Sequence, residues 1–558
     1  MNILVITILS QKIKKQSYDL NILILHGLCG FINFMAKREF LVTVRSFFEL
    51  SLHSLKHNDE AAIASINECW VCFSQSVRSC GDIDTYELYL HEILSTIVAL
   101  GDMDDIGSHR SNTDVHLAAT KIALLLKPLA YLFPDINEES NIPKSREIIS
   151  LFKDAWSNLA VHGFAYKSLL TQKYLTCLRR IAHSSPALAS ESSWNRTETS
   201  IEMNTILRRG TSKGTEKLHK DILSPIMNVN LLDGPVSRPK LFFLSATLLL
   251  ENLRMSCGTC STILEYFSDP SIAITGIQSF INDICLFNIK EYTNLIKSGG
   301  KHQFTVEEVS NQLRQIFIFI CHRDIDLQRT ALACCDYLIS RVPSSLCHSE
   351  SLFPLLDILS LLFESVIDAD THEYEPSTRF ISSNCQVELF LSDSYKWRHD
   401  TLDQLSVAAR KWVTLSLTKC NKDMKSLLQA YISKFKGTPS KGIDYGVSFA
   451  LEMAGKVLPV DRELFALERS AYNRTDTIAG FLTQFSWKSN FKHEVYSKIS
   501  GYTVTDGHAV VLKIRNTLKS LETRLENKED VSAEEFNSAL QDASAAVILG
   551  SIPAGDIL

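Results

Sequence analysis

The sequence predicts an all-α protein, a solenoid of antiparallel helix pairs. Apolar residues recur at three- and four-residue spacing in block after block, with short polar breaks between. Turn-formers are scarce: 22 glycines and 14 prolines in 558 residues is about half the ~12% share of an average protein. The length adds a third constraint. A chain of 558 residues with 45% hydrophobic content exceeds what one compact core accommodates, so several domains or stacked repeats are expected.

The stretch from Ser392 to Gly455 shows the scheme. Asp400 is expected to cap a first helix, with Leu402, Leu405, Ala409, Trp412 and Leu415 at helical spacing. Asn421 is expected to cap a second, in which Met424, Leu427, Leu428, Tyr431 and Phe435 form one apolar stripe. A third carries Val447, Ala450, Leu451 and Ala454 and ends at Gly455. Each block has one apolar face and is marginal alone in water, so the faces are expected to pack together through short loops.

Taken from the start, Asn58 and Asp59 open a helix running through Ile63, Ile66, Trp70 and Phe73, and Asp84 opens another through Leu88, Leu90, Ile93, Ile97 and Leu100. Residues 101–113 break the pattern. A helix from His116 to Phe133 is kinked at Pro128 and stopped by Pro134. Another runs from Lys144 to about Phe164. Leu241–Met255 is apolar nearly all round and reads as a buried helix, and blocks follow at Phe304–Ile320, Asp326–Arg341 and Leu352–Ile367. Residues 368–387 and 436–443 are polar breaks; Leu518–Asp542 is charged enough for an exposed helix, and Val547–Leu558 reads as a frayed end. The expected organisation is a helical segment over 1–183, a polar, partly disordered connection over 184–240, a second helical segment over 241–500 and a charged C-terminal segment over 501–558 that reads as truncated.

Charge and cysteine usage exclude some classes. A formal charge of −6 carries no signature of nucleic-acid binding. The 14 cysteines show no repeating spacing, and the apolar run Ile3–Leu9 lacks a preceding basic residue, so free thiols in a reducing cytosol are expected. Leu20–Ala36 is the best candidate membrane span, but it is interrupted by Asn21, His26 and Asn33 and is shorter than the ~20 residues a span requires. It reads as a buried helix.

The run Asp324-Ile325-Asp326-Leu327-Gln328-Arg329-Thr330-Ala331 resembles the second-helix start of a HEAT repeat. Asp324 would cap the helix, Arg329 would reach a carboxylate of a neighbouring repeat, and Ala331 would let helices approach closely. The solenoid is therefore expected to be of the HEAT/armadillo-like kind. His322-Arg323-Asp324 also matches the start of a protein-kinase catalytic loop. The Asn required five residues after the Asp is Arg329 here, with no glycine-rich phosphate loop upstream, so a helix start is the favoured reading. Cys69-x-x-Cys72 and Cys257-x-x-Cys260 lie too far apart in sequence to read as one four-ligand zinc site; buried thiols are expected. The cluster Arg208, Arg209, Lys213, Lys217 and Lys220, with Glu216 its one acid, could touch anionic lipid. It shows no amphipathic apolar face, so a solvated loop is expected. No Walker, HExxH, Gly-x-Ser-x-Gly or Rossmann pattern occurs, and no residue is assigned as catalytic, cofactor-binding or metal-ligating.

Six blocks resemble, in order, the N-terminal helical region of the type III alpha phosphatidylinositol 4-kinases. They are Leu151-Phe152-Lys153-Asp154-Ala155-Trp156 continuing to Gly163-Phe164; Ser184-Ser185-Pro186-Ala187-Leu188; Leu249-Leu250-Glu251-Asn252-Leu253-Arg254 with Tyr266-Phe267-Ser268-Asp269; Leu355-Leu356-Asp357-Ile358-Leu359; Asp393-Ser394-Tyr395-Lys396-Trp397-Arg398 with Leu427-Leu428-Gln429-Ala430-Tyr431; and Gly446–Gly455 with Glu494-Val495-Tyr496. The resemblance implies a non-catalytic scaffold region of a lipid kinase that makes phosphatidylinositol 4-phosphate. Catalysis, ATP and magnesium would belong to a kinase domain outside these residues. It further implies homodimerisation through the helical region, and docking of a tetratricopeptide-repeat adaptor and a hyccin-like protein. A palmitoylated anchor protein would recruit the complex from the cytoplasm to the plasma membrane, making membrane association indirect. The alternative is a stand-alone HEAT/armadillo-like adaptor without kinase activity.

Overall fold

The computed structural model describes residues 18–102, 111–136, 145–189, 213–227, 238–298, 304–434 apart from 373, 383 and 384, then 445–455, 507–527, and 532, 533, 535, 536 and 539. Among these the protein is all-α except for one two-stranded hairpin. The chain divides into two units, residues 1–303 and 304–558.

The first unit opens with α1 (Tyr18–Leu28) and a 3₁₀ turn (Cys29–Phe34), then α2 (Lys37–Lys56), α3 (Glu60–Cys80), α4 (Ile83–Gly101), α5 (Asn112–Leu132) and α6 (Arg146–Val161). The short α7 (Leu169–Lys173), α8 (Leu175–Ser184), α9 (Lys213–Leu223) and α10 (Arg238–Met255) follow. A 3₁₀ turn (Thr262–Ser268), α11 (Pro270–Thr275) and α12 (Gln278–Ser298) complete it. Short polar side chains set the helix starts. Asp59 accepts from the Ala62 amide at 3.0 Å to cap α3, which ends at Gly81 in the left-handed region (φ 74°). The cap of α4 is Asp82, two residues before the expected Asp84, because its carboxylate reaches back over the Asp84 amide. Ser111 and Ser145 cap α5 and α6.

Packing follows a two-step rule. Helices pack on chain neighbours, as α2 on α3 and α4 on α5, and on the helix two along, as α3 on α5 and α4 on α6, with α10 closing on α6 and α8. This is the contact pattern of stacked helix pairs. Close approach at α4 and α6 requires Gly101, where a Cβ would stand 2.2 Å from the Asn158 side chain. The core begins with an aromatic cluster in which Phe47 stacks on Trp70 (centroids 5.6 Å apart) and Phe73 packs beside them. The C-terminal carbonyl of α5, at Phe133, accepts from Arg78 of α3 (2.9 Å) and Arg180 of α8 (3.0 Å). Of the described helices, Asn112–Leu132 is long and apolar enough to cross a membrane, but 67% of its most apolar window is buried by neighbours, as in a core helix. The expected candidate Leu20–Ala36 resolves instead into α1 and the 3₁₀ turn.

The second unit holds α13 (Val306–Ile320), α14 (Ile325–Arg341), a 3₁₀ turn (Pro343–Leu346), α15 (Ser349–Thr371), β1 (Arg379–Ile381), β2 (Glu388–Phe390), α16 (Tyr395–Lys419), α17 (Asn421–Lys434), α18 (Tyr445–Gly455) and α19 (Gly507–Glu526). The same rule recurs: α13 packs on α14 and α15, and α14 and α15 both pack on α16. Thr305 and Glu308 form a reciprocal capping box on α13. The cap of α16 is Ser394, not Asp400, which lies exposed within the helix. The expected apolar faces hold on α16, where Leu402, Leu405, Ala409 and Trp412 are buried, and on α17, where Met424, Leu428 and Tyr431 are; on α18 Ala450 is buried, but beside Phe449 and Met453, while the expected Val447 is only half-buried. The polar stretch expected as a break over 368–387 contains β1, which pairs antiparallel with β2 (Phe380 opposite Leu389). Phe435, Glu494–Tyr496, residues 436–443 and Val547–Leu558 lie outside the described residues.

Candidate functional site

Polar residues from the described parts of the six blocks form two buried clamps, one in each unit. In the first unit, Trp156 of α6 donates its indole N–H to the Ser185 hydroxyl at 3.0 Å. Arg254 of α10 is 2% exposed; it pairs with Glu251 at 2.6 Å and donates to the Ala182 carbonyl at 3.0 Å and to the Ser185 carbonyl. Glu251 accepts from the Thr262 hydroxyl (2.7 Å) and the Tyr266 hydroxyl (3.1 Å), and the Tyr266 oxygen accepts from the Leu188 amide at 3.0 Å. Burial, reinforced by Glu251, holds the Tyr266 phenol well above its ordinary pKa. The first three blocks therefore meet at one point. A buried ion pair is tolerable only when its remaining valences are filled, and here backbone carbonyls and hydroxyls fill them.

In the second unit Asp357 of α15, 4% exposed, accepts from the Tyr431 hydroxyl at 2.8 Å and from Ser382. Gly446 donates its amide to the Ser360 hydroxyl at 2.9 Å. Its approach is so close that a Cβ would stand 2.5 Å from the Leu356 carbonyl oxygen. Arg398, wholly buried, donates to the carbonyls of Ser392 (2.6 Å), Ser365 (2.7 Å) and Ser377 (2.7 Å), with Asp368 at 3.5 Å. It ties the start of α16 and the loop before the hairpin to α15. The described residues of the last three blocks thus also converge. Both clamps spend their charged groups on structure, and neither offers a carboxylate or guanidinium to a substrate.

The other sequence candidates resolve as follows. Asp324 caps α14, accepting from the amides of Asp326 and Leu327 at 2.9 Å, and its own amide donates to His322 Nδ1 at 3.1 Å. That is a helix start with its acid engaged. The reach expected of Arg329 is corrected: it is 76% exposed, and its ion pair, at 3.6 Å, is with Asp326 one turn back. Helical phase points it outward. The bond between α14 and α16 comes from the neighbouring Gln328, whose amide donates to the Thr401 hydroxyl at 3.1 Å.

Among the described residues no cluster of three or more His, Cys, Asp or Glu is placed to hold a metal. Cys29, Cys72 and Cys80 line a cavity of about 410 Å³ with Asn33, Gln75 and Ser76. Burial, with Cys69 and Cys72 nearby, pushes the Cys29 thiol up to about 12, and burial pushes Cys257 up to about 11. Neither is a nucleophile at neutral pH.

The basic cluster departs from expectation. Lys213, Lys217 and Lys220 lie on α9, whose opposite face is docked through buried Thr215, His219 and Leu223. His219 bonds the Ala160 carbonyl through Nε2 at 2.8 Å and Ser245 through Nδ1, with the Phe242 ring at 5.0 Å. Nε2 must carry the proton, since a carbonyl can only accept, so Nδ1 receives the Ser245 hydroxyl. Burial lowers the His219 pKa to about 4, against the opposing bond to Ala160. Threonine and histidine do not register as an apolar stripe, which is why the face was invisible in the sequence. Arg208 and Arg209 lie outside the described residues.

Two curated relatives cover the chain almost end to end. It is 34% identical over 553 residues, 98% of its length, to "Phosphatidylinositol 4-kinase STT4" of Saccharomyces cerevisiae. The chain is similar to the N-terminal region of phosphatidylinositol 4-kinases. The Schizosaccharomyces pombe phosphatidylinositol 4-kinase stt4 is 25% identical over 523 residues, 92% of the chain. The chain spans 29% and 27% of the lengths of these two kinases. No protein-family model matches. A solved engineered protein covers 94% of this chain and 98% of its own at 11% identity, but its TM-score of 0.21 carries no argument. The residues that stand out in this chain are structural: Arg254, Glu251, Arg398, Asp357 and Tyr431 each hold one helix to another or to a loop.

Proposed function

We propose that this chain is the non-catalytic scaffold of a 1-phosphatidylinositol 4-kinase, supporting its assembly and its recruitment to the plasma membrane. The observation that carries the reading is the match along 98% of the chain to a phosphatidylinositol 4-kinase of which it spans 29%. The two clamps support it: charged side chains lock helix to helix and leave long outer surfaces for partners. On this reading ATP and magnesium bind in a kinase domain elsewhere in the protein. The scaffold dimerises and carries a tetratricopeptide-repeat adaptor and a hyccin-like protein, and a palmitoylated anchor brings the assembly from the cytoplasm to the membrane. The helix pairs would be of the HEAT/armadillo kind.

The test is a fluorescently tagged chain expressed alone and with the adaptor and anchor. It is expected to stay cytosolic alone and to move to the plasma membrane only with both partners, and that association should survive a salt wash. Cytosolic residence with both present would overturn the recruitment role. The purified chain is expected to make no phosphatidylinositol 4-phosphate from ATP and lipid vesicles; transfer above a heat-killed control would overturn its non-catalytic assignment.

A further inference from the structure

We propose that Cys347 and Cys420 form a redox modification site, which hydrogen peroxide converts reversibly to a disulfide tying the Pro343–Leu346 turn to the α16–α17 junction. Both cysteines belong to the second unit, and both are free and half-buried. Cys347 closes the 3₁₀ turn, and Cys420 is the residue between α16 and α17.

Hydrogen bonds bring the two together. The Ser416 hydroxyl of α16 donates to the Pro343 carbonyl at 3.1 Å, and the Cys347 thiol donates to that same oxygen at 3.7 Å. Cys420 lies one helical turn beyond Ser416, and its amide donates to the Ser416 carbonyl at 2.7 Å. Its side chain therefore follows Ser416 along the face that meets the turn, and the two thiols stand in hydrogen-bonding contact. The frame around them is fixed. The turn packs along α16 with Leu346 fully buried. The Ser345 hydroxyl donates to the Val342 carbonyl at 2.6 Å, and the Ser345 carbonyl accepts from the Ser351 hydroxyl at 2.9 Å. The cysteines themselves cap element ends, so closing a disulfide asks for side-chain rotation and a small shift rather than a broken helix.

The other thiols lack this combination. Cys321, Cys334 and Cys335 of the same unit are at most 2% exposed, out of reach of an oxidant in water. In the first unit the Cys29 thiol faces the carbonyls of Leu25 (3.3 Å) and Cys69 (3.6 Å).

The pair divides the chemistry. Burial, and then Cys420 and Asp423 beside it, holds the Cys347 thiol well above its ordinary pKa, so it keeps its proton at neutral pH. Cys420 opens the reaction. Its thiolate attacks one peroxide oxygen, the O–O bond breaks, and the leaving hydroxide takes a proton to become water, which leaves Cys420 as a sulfenic acid. The Cys347 sulfur then attacks the Cys420 sulfur. The S–O bond breaks, and the hydroxide leaves with the Cys347 proton as a second water. The two sulfurs give up two electrons and the peroxide accepts them. The disulfide closes a ring of chain that holds α15, the hairpin and α16, and it pins the point where α17 leaves α16.

The experiment uses the whole 558-residue chain, reduced, freed of reductant and given equimolar hydrogen peroxide. After quenching with N-ethylmaleimide, peptide mapping should find Cys347 joined to Cys420 ahead of any other oxidised cysteine, and dithiothreitol should free both. Amide exchange in α17 should slow about threefold or more on oxidation and recover on reduction. Cys347→Ser removes the resolving thiol, so dimedone should capture a sulfenic acid at Cys420 about tenfold more than in the original chain. Cys420→Ser should leave Cys347 reduced. Both thiols still free after other cysteines have reacted, a disulfide from either to a different partner, or a dimer on a non-reducing gel would each overturn the proposal. So would unchanged exchange in α17 once the pair is joined. The map of the unaltered chain needs no variant, so a substitution that fails to fold leaves the central result standing. Neither lipid nor adaptor is present, which keeps this test separate from the recruitment reading.

Discussion

His219 gives the sharpest stability prediction. Its ring is neutral, buried, and locked in one tautomer between the Ala160 carbonyl and Ser245. An unfolded histidine titrates at about 6.5, whereas here the pKa is lowered to about 4, mainly by burial. The unfolded or undocked state therefore binds the proton more readily. Stability contributed by the neutral ring is fully present above about 6.5 and is lost as pH falls through the window from about 6.5 to about 4. At 1.36 kcal/mol per pH unit the loss has a ceiling of roughly 3 kcal/mol. Protonation puts a positive charge in a buried site with no carboxylate among its bonded partners, so α9 should release from α6 and α10 before the rest of the unit melts. Amide hydrogen exchange on α9, followed from pH 7 to pH 4.5, reads this directly. His219→Gln can keep one donor and one acceptor without titrating. It should cost about 1–2 kcal/mol at pH 7 through imperfect geometry, yet flatten the pH dependence of α9 protection. Parallel curves for the two proteins, or an α9 as protected at pH 4.5 as at pH 7, would refute the docking role of the neutral ring.

Three further substitutions probe the second clamp, with Arg329→Ala as an exposed control. Arg398→Met removes a buried cation whose donors satisfy three carbonyls and should cost about 3–5 kcal/mol in denaturant unfolding, while Arg329→Ala, on an exposed local pair, should stay within ~0.5 kcal/mol. Tyr431→Phe deletes the hydroxyl that donates to buried Asp357 and should lower stability by about 1.5–3 kcal/mol. Gly446→Ala drives a methyl to within 2.5 Å of a backbone carbonyl that cannot yield; it should loosen α18 from α15 by about 1–3 kcal/mol, seen as faster exchange in α18.

Helix existence was legible in the sequence because burial leaves a periodic trace. Trp412, Leu405 and Ala409 had to share a face, and they do. Helix starts were less so. Asp82 and Asp84 are equally good caps by type, and only the backbone geometry decides that Asp82 turns its carboxylate onto the Asp84 amide. The hairpin was missed because its strands, Arg379–Ile381 and Glu388–Phe390, are three residues each, too short for a period-two pattern to emerge. Arg329 was misjudged on type: a motif specifies an arginine but not its phase, and one position along, Gln328 points inward and makes the bond to α16.

The clamps were illegible for a different reason, and it bears on how the resemblance works. Block by block, Ser184-Ser185-Pro186 or Leu355-Leu356-Asp357 carries no chemistry of its own. Their polar residues become specific only in three dimensions, where Trp156 meets Ser185, Arg254 meets Ser185 and Ala182, and Tyr431 meets Asp357 across 74 positions of chain. A buried polar network has few substitutes, because removing one member strands the others without partners. An apolar stripe tolerates exchange among leucine, isoleucine and methionine at small cost. The segments most readable as related are therefore those whose polar side chains close the stacked pairs.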